Sequence, residues 1–317
     1  MLVWNIVLRI FHALLRSEIS KMLNLKFGEI DSWSIALPRL FLLRSKSTAL
    51  GIQLSLTGRQ PLLFSGLLLL SLLKTNSAQY DNLYSFVHLL PNNDLFIFAN
   101  KDSILFNWQT HTIVKNVPTL AGGPRNYPSA GSSVMLPLTA ADNYEGVEVL
   151  VCGGAAEGAY NNPTAQYDAL NTCGRINPLA GTPRWATETM PQRRTMGDMI
   201  LVPTGGVIII NGASKGSQGW GFASDLVCTP VLYSPRAAVG RCLQTLAGSG
   251  IPRMCNSTAN LLADGRILVA GSSTHWFNTV NGEFPTELTI DLLIWAATGL
   301  SWPWAERSGT AMHSRPP

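Results

Sequence analysis

At 317 residues the chain is long enough to bury a large core in one domain or two. Charged residues make up only 13 % against 46 % apolar, with 28 Gly and 19 Pro, a balance that excludes a disordered chain and suits an all-β protein with many tight turns. The net charge of +4 is uneven: residues 1–79 carry nine Lys/Arg against Glu18, Glu29 and Asp31, and the remainder is slightly acidic. The basic excess therefore belongs to the leader, and nucleic acid is not an expected partner.

Residues 1–79 read as a basic leader. Leu2 to Leu15 has the spacing of an amphipathic helix, and Pro61 to Leu73 is an apolar run of 13 residues. That run is too short for a stable membrane span and has the size of a signal-peptide core. Lys74-Thr-Asn-Ser-Ala-Gln79 follows, with small residues where a signal peptidase would cut. An export signal normally sits at the start of a chain, so this one is displaced. An organelle transit peptide ranks below that reading, and residues 1–60 also read as foreign to the domain that follows.

From Leu89 onward, short β-rich runs alternate with Gly, Pro, Asn and Asp. Leu89-Leu-Pro-Asn-Asn-Asp-Leu-Phe-Ile-Phe98 is strand end, tight turn, strand. The unit recurs as Met135-Leu-Pro-Leu138 leading through a loop to Val147-Glu-Val-Leu-Val-Cys-Gly-Gly154, and again as Leu201-Val-Pro-Thr-Gly-Gly-Val-Ile-Ile-Ile-Asn211. Its last copy is Leu261-Leu-Ala-Asp-Gly-Arg-Ile-Leu-Val-Ala-Gly271. The residues opening each turn (Pro91, Pro137, Pro203, Ala263) are spaced by 46, 66 and 60. A period near fifty with a Gly-rich exit is the kelch-type signature of propeller blades, which stack because one blade cannot cover its own faces. A β-sandwich lacks this repeated turn and exit.

Cys152 and Cys173 flank a Gly/Asn-rich loop and are expected to close it as a disulfide if the chain is exported; Cys228 with Cys242 is a second candidate pair. Gly212-Ala-Ser-Lys-Gly216 matches the nucleophile-elbow pattern, but a Gly-rich loop follows where a helix is required, so an inter-strand loop is the expectation. Gly216, Gly219 and Gly221 make no dinucleotide fingerprint, and His12, His88, His111, His275 and His313 are scattered without metal-ligand spacing. Two strand approaches stand out, Arg125-Asn-Tyr127 and Arg253-Met-Cys255. Aligned blades would bring Tyr127 and Cys255 to equivalent places near one end of the propeller axis. Asn256-Ser-Thr258 is an N-glycosylation triplet, set at a strand entry on the propeller rim where access for glycosylation is expected to be restricted.

Arg125-Asn-Tyr-Pro-Ser-Ala-Gly131 with the strand after it, Val147 to Gly154, Thr172-Cys-Gly-Arg175, Met196-Gly-Asp198 and Pro285-Thr-Glu-Leu288 together resemble a plant-type glyoxal oxidase, a relative of galactose oxidase. The resemblance covers about residues 80–290 and implies a seven-bladed kelch-type propeller followed by a β-sandwich domain. The expectation for this chain is thus an all-β, incomplete propeller over 80–290, with the C-terminal β-sandwich missing, 1–79 outside the resemblance and 291–317 a divergent tail. The family implies secretion, and a copper radical site that oxidises small aldehydes of the glyoxal or methylglyoxal type with O2 to carboxylic acids and H2O2. By the same resemblance Tyr127 matches the tyrosine that is thioether-linked to cysteine, a catalytic and metal-binding position. The family's Tyr-His pair falls at Cys255-Asn256, both replaced. The partner cysteine would lie before residue 80, where the leader has none; the last histidine belongs to the sandwich, and His313 sits in no matching motif. An amide is a poor substitute for imidazole on Cu(II). Copper is therefore implied by the family and not expected to be retained, and the chain is expected to be inactive. The alternative is a non-catalytic propeller fragment or binding scaffold, with Tyr127 a structural rim tyrosine.

Overall fold

The computed structural model describes residues 81–294 apart from Val239, together with residue 72 and short strands at 41–43, 51–53 and 304–305. The amphipathic stretch 2–15, nearly all of the apolar run 61–73 and His313 lie outside the described residues. The chain divides into two compact units, Met1–Leu69 and Leu70–Pro317. In the first, β1 (Phe41–Leu43) and β2 (Gly51–Gln53) pair antiparallel.

The second unit is all-β: among its described residues the only helical pieces are short 3-10 turns such as Ala140–Asp142 and Pro163–Ala165. It holds four antiparallel four-stranded sheets. The first is β3 (Phe86–Leu89), β4 (Leu95–Ala99), β5 (Asp102–Asn107) and β6 (Thr112–Val117). The second is β7 (Ser132–Met135), β8 (Val149–Cys152), β9 (Thr172–Ile176) and β10 (Ala186–Thr189). Next come β11 (Asp198–Leu201) and β12 (Val207–Ile210), then an inserted hairpin of β13 (Ala213–Gly216) and β14 (Ala223–Leu226), before β15 (Val231–Tyr233) and β16 (Leu243–Thr245) complete the third sheet. The fourth is β17 (Thr258–Leu261), β18 (Arg266–Ala270), β19 (Ile290–Ile294) and β20 (Trp304–Ala305). The expected boundary at residue 290 thus falls inside β19.

Each hairpin read from the sequence forms strands one and two of a sheet, and the turn chemistry is visible in the first. Asn93 takes the left-handed conformation (φ 68°), Leu90 N donates to Asp94 O at 2.9 Å, and Asp94 accepts from the amides of Asn92 and Asn107.

The stacking of sheets follows from the two-residue period of a strand. On β8, Val149 and Val151 pack with Phe96 and Phe98 of the first sheet, while Leu150 and Cys152 pack with Val207, Ile209 and Val231 of the third. On β12, Val207 and Ile209 face back to the second sheet, while Ile208 and Ile210 meet Ile267, Val269 and Leu293 of the fourth. β8 and β12 are apolar at every position because both faces are covered, each buried Val or Ile contributing roughly 1.5–3 kcal/mol. A one-residue slip would exchange the two faces at once. The first strands of successive sheets, β3, β7, β11 and β17, lie side by side, the inner-strand arrangement of a propeller.

Cys152 and Cys173 are register partners on β8 and β9 and form the expected disulfide. The second candidate pair is corrected: Cys228 and Cys242 are both free thiols. Cys242 is buried among Val231 and Tyr233 with its Sγ against the carbonyls of Ala237 and Ala238, so it serves as a small apolar side chain. The nucleophile-elbow pattern Gly212–Gly216, expected as an inter-strand loop, is corrected: Ala213–Gly216 is strand β13, held by pairing with β14.

Candidate functional site

Three buried guanidinium groups organise one end of the sheets: Arg125, Arg194 and Arg253, all at 2 % exposure or less. Each ties the exit of its sheet's second strand to the start of the third. Arg125 donates to Gly153 O (2.6 Å) and Thr172 O (3.0 Å). Arg194 donates to Asn211 O and to Thr229 O (2.8 Å). Arg253 donates to Gly271 O (2.8 Å), to Asp291 Oδ2 (2.8 Å) and to Thr289 Oγ1 (3.2 Å). Burial lowers Arg125 and Arg194 to about 10, which leaves both charged at neutral pH.

The Gly-rich exits exist because the next sheet's arginine segment passes against them. Gly154 N donates to Arg194 O (2.8 Å) and Gly212 N to Arg253 O (2.7 Å). A Cβ at Gly153 would lie 2.3 Å from Arg194 O, and one at Gly212 would lie 2.1 Å from Thr195 O. Both glycines also have positive φ.

Two residues beyond each arginine the chain reaches the rim with a different side chain: Tyr127, Met196 or Cys255. Tyr127 is half-buried, bridged to Leu83 through its backbone, with its ring edge-on to Tyr84 at 5.7 Å. Burial raises its phenol pKa, and the neighbourhood of Tyr160, Cys255 and Tyr84 raises it further. Cys255 is buried, its Sγ 3.2 Å from Met196 Sδ and 3.5 Å from Gly219 O, and burial pushes its thiol up as well. Met196 N donates to Ala130 O, and Gln218 N to Pro128 O, so the loop after β13 closes over the same rim. Asn256 is exposed, and its Nδ2 donates to Ser273 O at 2.9 Å.

The expectation that Tyr127 and Cys255 converge therefore matches the geometry, but Arg194 belongs to the same constellation unmarked by any motif, and Met196, marked only as the start of Met196-Gly-Asp198, stands beside Cys255. The signal was available: Arg194-Thr-Met196 has the spacing of Arg125-Asn-Tyr127 and Arg253-Met-Cys255. Of the described histidines, His88 bonds Ser133 Oγ (2.9 Å) between the first two sheets, and half-buried His275 bonds Glu283 O (3.0 Å).

Cu(II) prefers imidazole and phenolate in tetragonal geometry. The rim offers a phenol biased toward its protonated form, a buried thiol against a thioether, and an amide already engaged with a carbonyl. These donors do not fit the copper centre of the family. Among the described residues no three His, Cys, Asp or Glu side chains gather as a metal cluster.

Stacked four-stranded sheets with inner first strands, joined by arginine-bound Gly exits, define a kelch-type β-propeller class. Residues 64–295 match the family described as glyoxal oxidase N-terminus, and the chain belongs to that family. It is 49 % identical over 213 residues to aldehyde oxidase GLOX of Vitis pseudoreticulata, covering 67 % of this chain and 40 % of that protein. Aldehyde oxidase GLOX1 of Arabidopsis thaliana is 43 % identical over 224 residues, 69 % of this chain and 36 % of its own length. The chain thus spans about 40 % or less of the curated relatives it matches. Among solved structures, a copper-complexed fungal alcohol oxidase of the AA5 family matches at TM-score 0.42 and 15 % identity, over 65 % of this chain and 52 % of that one.

Proposed function

We propose that this chain is a galactose oxidase-like copper radical oxidase by descent whose own propeller rim is non-catalytic. The family reaction is oxidation of small aldehydes of the glyoxal or methylglyoxal type with O2, giving carboxylic acids and H2O2, and the plant relatives are named as aldehyde oxidases. Within residues 80–290, the propeller portion of the proposed domain plan, Tyr127 takes the place of the redox tyrosine that would bind copper and store one electron.

The observation that carries the non-catalytic reading is the Cys255–Asn256 pair, which stands where the family presents Tyr-His. Cys255 is turned into an apolar cluster with Met196, Met254, Ala213 and Ala223, and Asn256 is bonded to a backbone carbonyl. Tyr127 then acts through its neighbours: it packs on Tyr84 and closes the seam between the first two sheets.

Export is part of the same reading, supported by the Cys152–Cys173 disulfide and by the signal-like composition of residues 61–73. No helix among the described residues is long and apolar enough to cross a membrane. The test is peroxide release by the purified full chain, supplied with copper and with glyoxal or methylglyoxal. No release above a Y127F control is expected; Tyr127-dependent turnover overturns the reading.

A further inference from the structure

Asn256-Ser257-Thr258 is the one Asn-x-Ser/Thr triplet without an intervening proline in the whole sequence. Its asparagine is presented in the manner a modifying enzyme requires. Asn256 is exposed, sits in a turn with φ 59°, and lies two residues before the start of β17. Ser257 fixes that turn by donating its backbone N–H (3.2 Å) and its hydroxyl (2.7 Å) to Met254 O. A primary amide carries two hydrogens, and Asn256 uses one of them on Ser273 O at 2.9 Å. An amide substituted by a sugar keeps one N–H, so that bond can survive modification.

An exposed aromatic surface lies close by in the fold. Trp220, Trp276 and Phe277 are 56 %, 69 % and 77 % exposed, and the two indoles meet at 5.0 Å between ring centroids. Both indole segments are tied to this turn: Gly219 O contacts Cys255 Sγ, and Ser273 O accepts from Asn256. Contiguous exposed apolar surface on a soluble protein marks a place that something covers. The C–H face of a pyranose is a suitable cover for an indole, and the sequon supplies that pyranose covalently. The Cys152–Cys173 disulfide belongs to the oxidising compartment in which such a transfer takes place.

We propose that Asn256 is an N-glycosylation site and that the first sugar packs over the Trp220–Trp276 pair. In the transfer, the bond from the sugar C1 to the pyrophosphate oxygen of a lipid-linked oligosaccharide donor breaks. A C1–Nδ2 bond forms, one Nδ2 proton passes to a base of the transferase, and the lipid pyrophosphate leaves with the bonding pair. No oxidant or reductant is involved. The inference rests on the export reading above, and it places a glycan on the position that the family gives to a histidine.

The experiment sends the full chain into the secretory pathway of insect cells behind a supplied cleavable signal peptide, and examines both medium and lumenal fraction. Attachment occurs during translocation, so a folding defect does not hide it, and the native leader is not under test. Wild type and T258S are expected to show a slower band that collapses on treatment with peptide N-glycosidase, whereas N256Q and T258A lose it. A wild-type chain with the Cys152–Cys173 bond formed and no glycan at Asn256 in peptide mass spectra overturns the proposal while leaving export untouched. Tryptophan emission of the glycosylated wild type is expected to lie to the blue of T258A; identical spectra overturn the packing over the indoles.

Discussion

Arg125 and Arg253 are equally buried and bind the same places in their sheets, yet two residues later one strand approach presents a half-buried tyrosine and the other a buried thiol. The arginine geometry is therefore a property of the fold, whereas the side chain at the second position beyond it is free to specify chemistry. Arg194, followed by Met196, is a third instance with neither group. The two approaches also differ within the frame: Arg253 faces the carboxylate of Asp291, and Arg125 faces only carbonyls and one hydroxyl.

That difference gives the largest expected effect. R253M strands Asp291 as a buried charge and is expected to cost about 3–5 kcal/mol, whereas R125M leaves neutral acceptors unpaired and is expected to cost about 1–3 kcal/mol. Denaturant melts of both variants test the ordering; equal losses would show that the Asp291 pair adds nothing to the frame.

Next is the bond that closes the long loop of the second sheet. The Cys152–Cys173 link spans a sequence separation of 21, and the C152A/C173A double variant is expected to lose about 3 kcal/mol by the loop-entropy relation. No change under reducing conditions would contradict the link.

A smaller effect concerns His88, which burial lowers from 6.5 to about 4. The native state holds this ring neutral while the unfolded chain binds a proton below 6.5, so its contribution falls as pH drops from about 6.5 toward 4. Asp198, raised to about 7 by burial, acts in the opposite sense and is common to both chains in a comparison with H88Q. The stability advantage of wild type over H88Q is expected to shrink on the order of 2 kcal/mol between pH 7 and pH 4.5. A constant difference would show that the ring is not held neutral between β3 and β7.

The second strands were legible in the sequence because their two covered faces force continuous apolar runs, as in Val207–Ile210, and the turns because Pro, Asn and Gly punctuate them. The outer strands were not. Ala186–Thr189 and Leu243–Thr245 are short and face solvent on much of their surface, so backbone pairing sets them without a side-chain pattern. The β13–β14 hairpin was hidden for the same reason, its Gly-rich stretch reading as an inter-strand loop. At the rim, Tyr127 and Cys255 could be paired by their arginines, whereas Met196 was read only within Met196-Gly-Asp198 and not by its spacing from Arg194. Cys242 was misread because spacing says nothing about burial among Val231 and Tyr233.

The proposal that this rim holds no copper centre is tested most directly by metal content. The full chain is incubated with Cu(II), desalted, and assayed for bound copper beside Y127F. A rim of phenol, thiol and engaged amide predicts well under one copper per chain, equal in both proteins. One copper per chain in wild type, lost in Y127F and accompanied by peroxide release from glyoxal, would contradict it.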